Sequence, residues 1–445
     1  MDICVVGLGY IGLPTAGTFA TYGSKVVGVD ANPAVVEELR RGEVRIQEPG
    51  LHAFISAALE SGNLRVSVEV QPADTFIIAV PTPLAGDGHG ADLSFVLAAA
   101  ESIAPHLRRG ALVILESTSP PGTTLGAVAS ALNRSGLIAG SDFSLAFCAE
   151  RVIPGRILTE LVENDRVIGG VDPSSAERAA ELYGSFVRGQ IYLTDAKSAE
   201  MVKLVENTFR DVNIAFANEL ARVCDKLEID VHEVIALANR HPRVNVLQPG
   251  PGVGGHCIAV DPWFIVDAAP DEASLIRAAR DVNDRQPQFV LSLVERALEG
   301  VEDARVAVLG LTYKADVDDV RESPAIDVVR MLLERGFEVR LHDPLAASFP
   351  FGERVGRDLE SALRGADVML ILTDHAVYRE LAPQDAGVAR MRHRTIVDTR
   401  HCLSPAEWRA ERFQFLSLGD GRLSEHRFPA SRAEPAGVRA GEVAS

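Results

Sequence analysis

Apolar residues in the first half of the chain fall in short runs: "ICVVGLGY", "VVGVD", "LRVSV", "TFIIAVPTP", "ALVILEST" and "SLAFCAE", each closing on turn or polar residues. Stretches of helical period separate them. Such alternation predicts a parallel, doubly wound sheet, because parallel neighbours need a crossover helix between them. Near residue 195 the pattern changes. "TDAKSAEMVKLVENTFRDVNIAFANELARVCDKLEI" contains no Gly or Pro and opens on Thr194 and Asp195 as candidate N-caps, which predicts one long helix. Met201, Val202, Leu204, Val205, Phe209, Val212 and Phe216 read as its core side. Helical pattern runs on to about residue 300, broken by "HPRVNVLQPGPGVGGHC", where Gly and Pro are too dense for regular structure and a loop is expected. Strand runs resume in "ARVAVLGLTYK", "EVRLHDP", "ADVMLILTDH" and "TIVDTR", repeating the earlier order.

The expected architecture is α/β: two Rossmann-like doubly wound parallel-sheet domains joined by a central helical domain. The first Rossmann domain is placed at 1–195, the helical domain at 196–300 and the second Rossmann-like domain at 301–426. Residues 427–445, "RFPASRAEPAGVRAGEVAS", lack apolar periodicity and read as a disordered tail. A chain of 445 residues, 47% hydrophobic, has room for more than one core.

The net charge of -18 disfavours nucleic-acid and anionic-membrane partners, so any anionic ligand must be met by local cations. The start leads straight into a strand pattern and no apolar run is long enough for a membrane span; a cytoplasmic, non-membrane protein is expected. Cys4, Cys148, Cys224, Cys257 and Cys402 show no CxxC spacing, which suits free thiols better than a disulfide framework or zinc site; no metal is expected.

"CVVGLGYIGLP" places Gly7, Gly9 and Gly12 as GxGxxG directly after a strand, and "VVGVD" ends in Asp30, eighteen residues beyond Gly12. In that context Gly7 makes the turn, Gly9 lets backbone N–H groups approach a pyrophosphate, and Gly12 permits close helix packing. Tyr10 and Ile11 belong to the same loop. Asp30 would accept from the adenine ribose hydroxyls and repel a 2′-phosphate; no Arg follows in "DANPAVV", so NAD is expected rather than NADP. Thr82 in "AVPTP" and Thr118 in "ESTSPPGT" should face the same crevice, or are simply turn hydroxyls.

On the long helix, Lys203, Asn207 and Arg210 stand at i, i+4 and i+7, on one face. Alone, that spacing equally describes a solvated stripe. Glycines before Cys257 would let the backbone approach a substrate, and a thiol beside His256 and a cation could ionise and attack a carbonyl. Residue types leave this reading level with a small buried residue. Metal ligation is weaker, since no second Cys or His pair stands at ligand spacing.

Taken together, "GLGYIGLP", "VPTP", "ESTSPPGTT", "ERVIPG", "KLVENTFRDVNIAFANELA", "HPRVNVLQPGPGVGGHCIAVDPWF" and "GLTYKADVDDVRESPA" resemble the UDP-glucose/GDP-mannose dehydrogenase family, in order from residue 1 to about 400. The resemblance implies NAD-dependent, four-electron oxidation of the C6 alcohol of a nucleotide sugar, for surface polysaccharide. Cys257 is implied as the thiol forming a thiohemiacetal and then a thioester. Lys203 and Asn207 are implied at the C6 oxygen, Glu150 as base for water, Thr118 as a water-positioning hydroxyl and Asp261 near the thiol. Arg151, Val152, Lys203, Asn207, Arg210, His241, Arg243, Gly254, Tyr313 and Lys314 are implied to bind the UDP-sugar, and Arg321 to contact the cofactor. A homodimer is implied, cored on the long helix, with an arginine from the loop around Arg243 crossing between sites. "GGHC" and "NRHPRVN" lean to an N-acetylhexosamine, "CIAVDPWF" to the N-acetylmannosamine epimer, with N-acetylglucosamine as the rival. A catalytically silent NAD and nucleotide-sugar binding regulator is a further alternative. Ala149 departs from the proline common before the family's Glu-Arg.

Overall fold

A computed structural model of the protein describes residues 1–86, 90–346 and 355–421. The 427–445 tail lies outside the described residues. In the amino-terminal part, eight strands form one sheet: β1 (Asp2–Val6), β2 (Lys25–Val29), β3 (Leu64–Ser67), β4 (Thr75–Ile78), β5 (Leu112–Leu115), β6 (Ser144–Phe147), β7 (Arg166–Gly170) and β8 (Ile191–Asp195). Their order is β3-β2-β1-β4-β5-β6-β7-β8. All neighbours are parallel except β6 and β7.

Ile3 and Val5 pack on one side with Phe19, Ile55 and Tyr183; Cys4 and Val6 pack on the other with Phe76, Val96 and Phe147. Successive strand residues point to opposite faces, and helices cover both, which is why these strands read as unbroken apolar runs. β7 and β8 escape that reading. β7 is buried but opens on Arg166 and ends in two glycines, and β8 is an edge strand with Tyr192 and Leu193 exposed, so neither carries a long buried apolar run.

The long helix spans Ala196–Leu227, with Asp195 as N-cap accepting from Ser198 N. Its faces are the reverse of the hydrophobic expectation. Of the seven residues read as core, only Leu204 is buried; Val205, Phe209 and Phe216 are exposed by 50%, 67% and 55%, so they cannot belong to this chain's core. The buried face is polar and small: Glu200, Lys203, Asn207, Asp211, Ala215 and Asn218. It can be buried because its polar groups are paired. Asp211 takes Arg280 at 2.6 Å and Asn283 at 2.8 Å, while Asn218 bonds Asn283 and Gly250 N. Helices Asp261–Ala268 and Ser274–Asp284 pack against the long helix. The segment 241–257 carries no helix or strand.

The second sheet contains β9 (Arg305–Leu309), β10 (Glu338–His342), β11 (Val355–Gly356), β12 (Val368–Ile371), β13 (Thr395–Asp398) and β14 (Gln414–Ser417) in the order β11-β10-β9-β12-β13-β14. All its neighbours are parallel. Its first turn repeats that of the first sheet. Gly7 N donates to Val29 O at 2.7 Å and Gly310 N donates to His342 O at 2.9 Å, with φ of 99° and 91° respectively. Among the described residues no helix is long and apolar enough to cross a membrane.

Candidate active site

In an open doubly wound sheet, β1 lies between β2 and β4, and the carboxyl ends of these strands diverge into a crevice. Here that crevice is a cleft of about 1130 Å³. Gly7, Gly9, Tyr10, Ile11, Asp30 and Thr82 line it, together with Thr118, Glu150, Cys257, Asp261 and Arg321. A Cβ on Gly7 would lie 2.5 Å from Ala79 O, and one on Gly12 would lie 1.8 Å from Gly7 O, so the turn and the helix behind it close only with glycine. A Cβ on Gly9 would meet nothing within 4 Å: this side of the loop opens onto ligand space. Asp30 is fixed by Leu8 N at 3.0 Å and Asn32 N at 2.9 Å, at the end of β2 where a ribose would sit. These residues fit an adenine dinucleotide.

At the other end, three elements meet. The long helix supplies Lys203 and Asn207; the segment after β6 supplies Glu150; the glycine loop supplies Cys257, with Asp261 at the start of the next helix. Lys203 Nζ donates to Glu150 O at 2.8 Å and lies 3.3 Å from its Oε1, with both side chains nearly buried. Val152 N donates to Glu150 Oε2 at 2.7 Å. These contacts hold Glu150 where Ala149, rather than proline, precedes it. Asn207 Nδ2 donates to Asp261 Oδ2 at 2.6 Å, so in this structure the amide orients the aspartate.

The electrostatics are those of an ammonium and a thiol among carboxylates. Burial opposes the charge of Lys203, but Glu150, Cys257 and Asp261 outweigh it and hold its pKa above the ordinary value. Burial pushes the Cys257 thiol up to about 12, helped by Asp261 and Glu150 and opposed by Lys203 and Arg321. Burial likewise lifts Asp261 to about 7, against the Asn207 hydrogen bond and Lys203. A prediction follows from the signs. Asp261→Asn removes a negative charge from beside the sulfur, so the pH at which iodoacetamide alkylates Cys257 should fall by about one unit. An unchanged alkylation profile would show that Asp261 does not act on the thiol.

The expected substrate-binding residues divide. Arg151 pairs with Glu206 at 2.6 Å and donates to Asp165 O at 3.1 Å. Tyr313 lies against the glycine loop: Cβ atoms on Gly254 and Gly255 would come within 2.7 and 2.9 Å of it. Lys314 Nζ reaches Pro154 O at 3.4 Å. Arg210, His241 and Arg243 stand exposed and do not line the cleft of this chain.

Some residues escaped sequence reasoning. Asp319 holds Arg321 through both carboxylate oxygens and lies 4.0 Å from His256. Glu200 accepts from Thr124 N and Oγ1 at 2.7 and 2.6 Å, tying the segment that follows Thr118 to the long helix. Glu116 lies buried at the end of β5, taking Tyr183 OH at 2.9 Å and Thr15 Oγ1 at 3.2 Å beneath the dinucleotide loop. Glu200 precedes Lys203 by three residues on one helix face, a signal available in the sequence. Glu116 and Asp319 carry no comparable spacing.

Three family models match consecutive stretches of the chain: the UDP-glucose/GDP-mannose dehydrogenase family NAD binding domain over 1–187, its central domain over 197–285 and its UDP binding domain over 307–405. The UDP-N-acetyl-D-mannosamine dehydrogenase of Methanococcus maripaludis is 46% identical over 426 residues, covering 94% of this chain and 97% of the relative. The NDP-N-acetyl-D-galactosaminuronic acid dehydrogenase of Ralstonia nicotianae is 50% identical over 411 residues, 89% of this chain and 95% of the relative. Among solved structures, the UDP-D-ManNAc dehydrogenase from Pyrococcus horikoshii matches with a TM-score of 0.87 and 43% identity, covering 94% of this chain and 99% of that one.

Proposed function

Since the chain belongs to the UDP-glucose/GDP-mannose dehydrogenase family, and is thereby an NAD-dependent nucleotide-sugar dehydrogenase, we propose that it oxidises C6 of UDP-N-acetyl-D-mannosamine to the uronate through a covalent bond to Cys257. The observation that carries this reading is the placement of Cys257, Glu150 and Asp261 on the same cleft as the dinucleotide loop, with Lys203 bonded to Glu150. The sugar rests on the mannosamine relatives, which recur among the similar proteins. The 50% identity to a galactosaminuronate enzyme keeps that sugar as the second reading.

NAD, which Gly7, Gly9 and Asp30 would hold, would supply the hydride acceptor for each of two successive oxidations at C6. The protein's residues do the rest. Lys203, held as an ammonium, stabilises negative charge on the C6 oxygen as the alcohol loses its proton. The Cys257 sulfur adds to the aldehyde carbon, forming a C–S bond while its proton passes to a carboxylate; Asp261, near 7, is matched to that transfer at neutral pH. The thiohemiacetal keeps a hydride on C6 that a bare aldehyde cannot donate without first being hydrated. Its oxidation leaves a thioester. Water, placed by Thr118 and deprotonated by Glu150, cleaves the C–S bond, and the carboxylate and the thiol are released. The balance is one alcohol and one water to one carboxylate, with two hydrides and three protons given up.

The expected yield is therefore two NADH per sugar with no free aldehyde, read by absorbance and by aldehyde trapping. One NADH per sugar, with trapped aldehyde, would remove the thioester from the mechanism. Parallel assays of the mannosamine, glucosamine and galactosamine UDP-sugars decide the substrate. A chain that binds NADH and UDP-sugar but reduces no NAD with any of them is the silent regulator.

The exposed residues Val202, Val205, Phe209, Phe216 and Val223 recur at intervals of three, four, seven and seven along the long helix, the spacing of a packing seam. A second copy of the chain is the proposed occupant, and Arg243 and His241 are then free to reach the partner's site. Phe209→Glu should yield monomers by light scattering at micromolar concentration. A variant dimer as stable as the parent's would move the interface elsewhere.

A further inference from the structure

We propose that His375, buried in the second Rossmann-like domain, is a positioning residue for the active site: it sets the segment 311–322 that braces the Cys257 loop. His375 is fully buried just beyond β12. Its Nδ1 accepts from Asp316 N at 3.0 Å, which fixes the proton on Nε2. That nitrogen lies 3.0 Å from Thr312 Oγ1 and 3.2 Å from Asp343 Oδ2. Thr312 Oγ1 in turn donates to Lys314 O at 3.0 Å, so it can only accept from the imidazole. Asp343 follows β10 as Asp30 follows β2, and accepts Leu311 N at 2.7 Å where Asp30 accepts Leu8 N at 3.0 Å. In the first domain that carboxylate faces the ligand cleft. In the second it is 3% exposed and bound to His375, its ligand-facing role given over to holding the loop.

The held segment touches the site on two sides. Gly255 N donates to Arg321 O at 3.1 Å, and a Cβ on Gly254 would lie 2.6 Å from Glu322 O. Lys314 reaches Pro154 O beyond Glu150. Asp316 has φ of 58°, a conformation the His375 contact holds in place. A rotation of this segment displaces Gly254 and Gly255, and with them the sulfur two residues on.

The kinetic arm of the test rests on the dehydrogenase reading above; the chemical arm does not. His375→Phe fills the volume and deletes every hydrogen bond. It should alter the iodoacetamide rate of Cys257 in the ligand-free enzyme and raise KM for the UDP-sugar by about tenfold, with kcat lowered by as much as about a hundredfold, since small misplacements act at that scale. The NADH dissociation constant should rise as well, because Asp318 and Arg321 of the braced segment touch Tyr10 of the dinucleotide loop. His375→Asn, which keeps an acceptor for Asp316 N, should recover part of both effects. Should the Phe variant fail to fold, Thr312→Val removes one partner and must shift the alkylation rate the same way. A lower melting temperature with unaltered alkylation and KM would overturn the proposal. Failure of the dehydrogenase reading would show separately, as absent NAD reduction in the parent.

Discussion

Cys257→Ala is expected to abolish uronate formation, lowering turnover at least ~10⁴-fold, as loss of a covalent nucleophile does. NADH should still bind with a dissociation constant near the parent's, because the Gly7 turn and Asp30 are held by β2 and by each other, not by the Cys257 loop. The expectation rests on what the sulfur does between the two oxidations. Without it, a C6 aldehyde carries no oxygen substituent or sulfur to make it a hydride donor again, and the site has a buried lysine but no second thiol among the cleft-lining residues. Stopped-flow absorbance should then show at most one NADH per site, followed by slow release. Full two-NADH turnover in the variant would return Cys257 to a small residue that follows a turn. The raised thiol pKa, about 12, adds a second readout: the free enzyme should alkylate slowly at pH 7 and faster at each higher pH, without a plateau below pH 10. A thiol activated before substrate binds would plateau near neutrality.

Much of this arrangement was legible because it is written locally. The GxGxxG loop and Asp30 are set by adjacent strand ends, so spacing alone places them on one cleft. Lys203 and Asn207 share a helix face, and both are buried there. Where the reading failed, the physics is non-local. The stripe of Val205, Phe209 and Phe216 was assigned inward because apolar side chains normally seek their own chain's core; the structure turns it outward, since the inner face is satisfied by hydrogen bonds from Arg280 and Asn283, far along the chain. Arg210 shares the spacing of Lys203 and Asn207 yet stays exposed, because at that point the helix turns Asp211 inward instead, onto Arg280 and Asn283. β7, with Arg166 and two glycines, and the exposed edge strand β8 lack long apolar runs, and the antiparallel step between β6 and β7 leaves no trace in composition. His375 is the extreme case. Its partners stand at 312, 316 and 343, and no motif around it announces them.

Lys203→Met should reduce kcat by about 10³-fold while changing the NADH dissociation constant little, since a positioned charge or acid–base group in a dry site contributes on that scale. Methionine matches the stem of the lysine, so packing under the long helix is largely kept; what goes is the ammonium that donates to Glu150 O and balances its carboxylate. Two consequences separate this from damage to the fold. The alkylation of Cys257 should shift to higher pH, because Lys203 is one of the charges that draw the thiol downward. Asp261→Asn moves it to lower pH, so the paired variants give opposite shifts from one site. Lys203→Arg, which keeps the charge but not the reach of a single ammonium, should hold the alkylation profile near the parent's and still lose most of the turnover. That split assigns the charge to the thiol and the geometry to the C6 oxygen. Equal turnover in the Met variant and the parent would remove Lys203 from the chemistry and leave it as a strut for Glu150.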